Sequence, residues 1–239
     1  LQALKEYDLA VIAKPSEAFS ESEKQVLDQY LMNGGKTIWL VDQVVAEIDS
    51  LYNPSGASLA YPRDLNINDL FFKYGIRINP DIVKDEQGSP IQLASGEPGS
   101  ATRFQQFNWK YAPLVTPIST HPIVKNLGGI KFDFANSIDT LKNSIKKTVL
   151  LQSSTYSKRV GTPTAINLSM VSETTSPADY PNTGGIPLAV LLEGSFHSAF
   201  ENGIKAFEQT NFQSTSKPTK MIVISDGDIL RNQLDKNQL

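Results

Sequence analysis

Residues 7–42, YDLAVIAKPSEAFSESEKQVLDQYLMNGGKTIWLVD, constrain the fold more than any other part of the chain. Leu9 to Ala13 is an apolar run of strand length, rich enough in β-formers to be a buried strand, and Pro15 breaks it. Ser20 followed by Glu23 fits a capping box, in which the hydroxyl takes an orphan N–H and the glutamate reaches back. Val26, Leu27, Tyr30 and Leu31 then share one helical face, and Gly34 and Gly35 supply a left-handed stop. TIWLVD is apolar on both faces, as an interior parallel strand would be. Strand, helix and strand in this order predict a right-handed βαβ crossover.

Further along, INDLFFKYG predicts a helix with Asn66 as cap and Gly75 as stop. IRINPDIV reads as a strand with Pro80 at a bend, and the Gly- and Pro-rich stretch 86–105 as a loop or hairpin. KFDFANSIDTL, KTVLLQSS, IPLAVLLEG and MIVISD read as strands, TAINLSMV as part of a hairpin, and SAFENGIKAFE as a helix. Residues 174–186 offer little apolar side-chain area to bury and predict mobility. The expected architecture is α/β: a mostly parallel sheet flanked by helices, Rossmann-like or flavodoxin-like, with a β-rich excursion. In domain terms, 1–239 is expected to be one domain with a β-rich insertion around 86–186.

Composition narrows the function classes. The 239 residues are 40% hydrophobic and 20% charged, an ordinary globular balance with enough chain to bury a core. A formal charge of −3 gives no broad electropositive field, so nucleic acid is not an expected partner. Zero cysteines exclude disulfides, thiolate metal sites and cysteine nucleophiles. No apolar run approaches the roughly 20 residues that span a bilayer. Because residue 1 is Leu and nothing resembles a signal peptide, the chain reads as a piece cut from a longer protein, with any anchors outside it.

The chemical candidates are three aspartates that end strands: Asp42 in WLVDQ, and Asp226 and Asp228 in ISDGDIL. Open sheets bind ligands beyond the carboxyl ends of parallel strands, so the three are weak ligand-binding candidates on one rim. Asp226 and Asp228 also have a plainer reading. Asp226 closes a strand, Gly227 turns, and Asp228 caps a short helix beginning at Ile229. A dehalogenase-type phosphatase needs more chain after its D-x-D strand than follows here, and DGDIL lacks the serines of a D-x-S-x-S metal site. His121 and His197 are isolated, with no metal-ligand spacing. EGSFHS is no nucleophile elbow, and the glycine pairs match neither a dinucleotide nor a phosphate loop. No catalytic residue, metal site or cofactor is assigned.

Five motifs in order carry a resemblance: KPSEAFSESEKQVLDQYLMNGGKTIWLVD, YGIRINPDIVKDE, HPIVKNLGGIKFDFANSID, PLAVLLEGSFHSAF and IVISDGDILRNQL. Together they resemble the extracytoplasmic domain of GldG-type gliding-motility auxiliary proteins of Bacteroidetes, within the uncharacterised ABC-type transport family. The resemblance implies a membrane-anchored parent, a periplasmic α/β domain on the inner membrane, and an ABC permease and ATPase as partners. It also implies action through a protein or carbohydrate ligand rather than catalysis. A similar domain occurs in an intraflagellar-transport component, where the role is assembly. Class I amidotransferase-like sheets are similar as well, but that activity needs a cysteine, which this chain lacks. The rival reading is a metal-dependent hydrolase using Asp42, Asp226 and Asp228.

Overall fold

The structure, a computed structural model, describes residues 3–95, 103–180 and 184–231. In chain order, β1 (Leu9–Ala13), α1 (Glu21–Met32) and β2 (Lys36–Leu40) form the expected strand–helix–strand unit. Strands β3 (Val44–Val45) and β4 (Ala57–Pro62) precede α2 (Asn68–Tyr74), and β5 (Ile76–Ile78) and β6 (Asp81–Asp85) follow it. A long hairpin of β7 (Gly88–Ser95) and β8 (Arg103–Val115) comes next. Then come β9 (Ile130–Lys131), β10 (Ile138–Thr140), β11 (Lys146–Gln152), β12 (Ser157–Gly161) and β13 (Thr164–Asn167). Strands β14 (Pro187–Gly194) and β15 (Thr219–Ile224) complete the order.

The expected mostly parallel, Rossmann-like sheet flanked by helices does not form. Strands dominate, α1 and α2 are the two α-helices among the described residues, and the strands divide among several small sheets. The largest sheet has the order β1-β2-β15-β14-β11. Strands β1, β2 and β15 are parallel, but β14 runs antiparallel to β15 and β11 antiparallel to β14. PLAVLL is uninterrupted because β14 is buried on both faces: Val190 and Leu192 face one core, Leu188 and Leu191 the other. Two-sided burial produces such a run whatever the strand direction, so the run carried no information on parallelism. Strand β11, which falls within 86–186, lies in the main sheet.

Helix α1 forms where expected, with Ser20 and Glu23 in a capping box and Gly34 at φ +96. It covers one face of the sheet. Trp39 lies beneath it, edge-on to Phe19 and Phe71 at 5.9 and 5.2 Å, contacts that bind α2 into the same core. Helix α2 stops at left-handed Gly75 as expected, but its N-cap position is Ile67; Asn66 turns away and bonds the Phe19 carbonyl. Pro80 separates two strands rather than bending one. No helix forms in SAFENGIKAFE. Some of its backbone N–H groups go instead to α1 side chains, with Ala199 donating to Asp28 and Ala206 to Gln25. Strand β1 also departs from expectation. It is an edge strand, with Leu9 and Val11 exposed rather than buried.

The expected mobile stretch is anchored where it is described. Buried Lys84 pairs with Glu173, and buried Lys110 donates to the Glu173 carbonyl and the Thr175 hydroxyl. Glu86 accepts from Thr175 and Tyr180. Residues 181–183 lie outside the described residues. Among the described residues no helix is long and apolar enough to cross a membrane.

Candidate functional site

Because β1, β2 and β15 run parallel, their carboxyl ends reach one rim, and each contributes a charged residue just beyond the strand: Lys14, Asp42 and Asp226. Lys14 still donates its N–H to the Leu40 carbonyl at 2.9 Å, then turns out of the ladder at φ +46. That left-handed conformation costs a non-glycine residue on the order of 1–3 kcal/mol, so the surroundings must stabilise it. They do so through its ammonium, which meets Asp228 at 2.6 Å and Glu47 at 2.7 Å, with Asp42 at 4.0 Å.

Asp42 accepts the Gly227 N–H at 2.6 Å. Gly227 is required here by close approach: a Cβ would meet Lys14 Cγ at 2.7 Å and Asp42 Oδ2 at 2.8 Å. Asp226 is fully buried and accepts through both carboxyl oxygens, from the Asp133 N–H at 2.8 Å and the Asp228 N–H at 2.7 Å. The second bond is an Asx turn, which sets the D-G-D conformation. So the three sequence candidates do converge, but the roles differ from the sequence reading. Asp226 makes the turn, and Asp228 is a Lys14 counter-ion rather than a helix cap. Residues 229–230 form a turn closed by the Arg231 N–H on the Asp228 carbonyl, and the chain from 232 lies outside the described residues.

Charge states follow from these surroundings. Burial pushes the Asp226 carboxyl up to about 8; the Asp133 and Asp228 N–H groups oppose the shift, and the neighbouring Asp42 charge adds to it. Asp42 is also raised, chiefly by burial, against the Gly227 N–H and the Lys14 charge. For Lys14 burial alone would lower the pKa, but the bonds to Asp228 and Glu47 leave it raised and the ammonium charged. The rim therefore holds its own cation. Among the described residues no group of three or more His, Asp or Glu side chains is placed to hold a metal ion.

Residues missed by the sequence reading close the crevice that an open parallel sheet usually leaves for a ligand. The segment after β9 crosses the rim. Asp133 binds Asp226, while fully buried Asn136 donates its N–H to Ser225 and its amide to the Asp81 carbonyl, and accepts the Gln43 N–H. Nothing in FDFANS flags this role, because the partners are distant in sequence. Beside the plug lies a cleft of about 620 Å³, lined by Glu47, Asp49, Lys131, Asp133, Asp228 and Arg231. Its charges pair internally, with Lys131 on Asp133 at 2.9 Å and Arg231 on Asp49 at 3.7 Å. His121 and His197 lie apart from the rim; His197 faces Glu201 and Thr215.

Fold and rim together describe a strand-rich domain of several mixed and antiparallel sheets whose strand-end carboxylates are committed to internal partners. The family profile described as ABC-type uncharacterized transport system matches residues 2–239, and the chain belongs to that family of transport auxiliary proteins. No curated protein matches. A solved structure of the mmIFT52 N-terminal domain is similar at TM-score 0.48 and 15% identity, over 95% of this chain and 68% of that one.

Proposed function

We propose that this chain is a non-catalytic extracytoplasmic domain of an ABC transport system, tethered to the membrane by its parent protein and acting by binding protein. Membership of the transport auxiliary family supports association with such a system. The resemblance to GldG-type proteins adds the finer reading: gliding motility or secretion, the periplasmic side of the inner membrane, and a permease and an ATPase as partners. The observation that carries the non-catalytic part is the commitment of the rim. Both oxygens of Asp226 accept backbone N–H groups, both oxygens of Asp228 face Lys14, and Gly227 occupies Asp42. A general acid or base needs a free polar atom within reach of substrate, and these oxygens are already held by backbone N–H groups or the Lys14 ammonium.

The test is to tether the domain to a membrane, co-express the cognate permease and ATPase, and assay both co-purification and hydrolysis. Co-purification without turnover of phosphomonoesters, nucleotides or esters is expected. A turnover that purifies with the domain and disappears in Asp226→Asn would overturn the reading.

A further inference from the structure

The two edges of the main sheet are built differently. At one edge β11 carries Lys146 and Lys147, and its register against β14 shifts at Val149/Leu151 and Leu151/Gln152. Lysines and bulges are devices that keep a sheet edge from pairing with another chain. At the other edge β1 has neither. Its five residues, LAVIA, hold no charge and no proline, and they stay in unbroken register with β2. Leu9 and Val11 on this edge are 44% and 51% exposed.

The ladder decides which backbone groups of β1 are left over. The Lys36 N–H donates to the Asp8 carbonyl and the Lys14 N–H to the Leu40 carbonyl, so Asp8, Ala10, Ile12 and Lys14 turn their backbone groups toward β2. Successive residues alternate, and the N–H and C=O groups of Leu9, Val11 and Ala13 therefore point away from the sheet. Among the described residues none of these groups has a hydrogen-bond partner. Their side chains share the face opposite α1, while Ile12 packs into the α1 core. The strip is about 17 Å long at about 3.3 Å per residue, and Asp8 and Lys14–Pro15 bound it. Such a row of unpaired groups is matched by another extended chain, whereas a helix pairs its groups internally. Area argues against a second copy: two edges meeting over one strand's width fall far below the roughly 1,200 Å² of a stable association. A partner's segment needs only that length of unpaired backbone.

We propose that the β1 edge takes up an extended segment of a partner protein in the transport assembly, which adds to the main sheet as a further strand. It lies antiparallel to β1, the more stable pairing, and its backbone bonds Leu9, Val11 and Ala13. Its alternate residues are apolar and lie beside Leu9 and Val11. The assignment rests on reading the domain as a protein-binding module.

A peptide of about seven residues alternating threonine and valine tests it, beside two controls N-methylated at the valines or at the threonines. In an antiparallel pair the residues that bond β1 are those whose side chains share the Leu9 and Val11 face, here the valines. The parent and the threonine-methylated peptide should bind alike, and the valine-methylated peptide about tenfold more weakly or worse. In the free chain the amide protons of Leu9, Val11 and Ala13 should exchange fast and those of Ala10 and Ile12 slowly, and the parent peptide should slow the first set. Val11→Pro removes an outward N–H and no bond to β2, and should abolish binding. Should that variant fail to fold, Val11→Lys places the β11 device on this edge and should weaken binding about tenfold. Several outcomes overturn the proposal: no binding of the parent peptide at millimolar concentration, equal binding of the parent and valine-methylated peptides, or a dimer through this edge. Protection of the Leu9, Val11 and Ala13 amides in the free chain would also overturn it, since the chain itself would then cover the edge. If Val11→Pro still co-purifies fully with the permease, the edge fails while the protein-binding reading stands. If the wild type co-purifies with no subunit, that reading itself fails.

Discussion

Two regions of the molecule bury an aspartate completely, and they satisfy it by different means. Asp28 sits where α1, α2 and the turn after β14 meet. It accepts from the Tyr74 hydroxyl at 2.9 Å, the Ser198 hydroxyl at 2.7 Å, the Ala199 N–H at 2.8 Å and the Gln29 amide at 3.0 Å. Asp226, at the rim, has two backbone N–H groups and another carboxylate, Asp42, nearby. At Asp28 the donors come from three segments, so the carboxylate cross-links them. At Asp226 they come from the adjacent turn and the 132–137 plug, and the site is held nearly neutral. A strand-end aspartate pair can thus be built for shape, with Lys14 providing the positive charge that a metal ion provides elsewhere.

The comparison is most severely tested at Asp28. Asp28→Ala should leave four donors without an acceptor and cost about 3 kcal/mol or more, read as a lower denaturant midpoint at unchanged slope. A loss under half of that would mean water replaces the carboxylate and the cross-link is weak.

At the rim the largest single effect should come from Lys14. Lys14→Met removes charge-assisted bonds to Asp228 and Glu47, a loss of about 2 kcal/mol. The carboxylates freed of the ammonium should then acquire a stabilising response to millimolar magnesium that the wild type lacks. Equal stability of Lys14→Met and wild type would contradict the ammonium's role.

The buried acid itself should appear in pH dependence. A folded pKa of about 8 against an ordinary value near 4 means the folded state holds the proton more tightly. The stabilisation is therefore full below about pH 4 and is lost as pH rises toward 8, with a slope of up to about 1.4 kcal/mol per pH unit. Wild type should lose stability relative to the pH-independent Asp226→Asn as pH rises across that window. A difference independent of pH would show that Asp226 is ionised throughout.

The smallest expected effect has the opposite sign. Partial burial works against ionisation of Asp139, but Arg159, Asn79 and Arg77 draw it down to about 2, joining β10 to β5 and β12. Its contribution, about 1 kcal/mol or less after solvent screening, should be present at neutral pH and lost as pH falls from about 4 to 2. Matched urea titrations of wild type and Asp139→Asn at pH 7 and pH 2 should show a gap only at pH 7.

What the sequence made legible was local. Ser20 and Glu23 cap α1, Gly75 stops α2, and Asp42, Asp226 and Asp228 do end up together, because strand ends, caps and stops are short-range signals. Strand direction was not legible. The run PLAVLL reports burial on both faces and is silent on orientation, and the connection from β14 to β15 contains no helix to reveal a crossover. The edge position of β1 was hidden because LAVIA looks alike whether or not a neighbour covers it. The partners of Lys14, Asn136 and Asp28 lie tens to hundreds of residues away, and no periodicity encodes such pairings.

The central claim is that Lys14 is the rim's cation and that the aspartates serve the fold. Thermal melts of wild type and Asp228→Asn, each with EDTA and with millimolar calcium or magnesium, test it most directly. The account predicts a wild-type midpoint unaffected by either ion, and an Asp228→Asn midpoint lower by the same amount in every buffer, because the variant weakens the bond to Lys14. A metal-dependent rise in the wild type that vanishes in Asp228→Asn would contradict it.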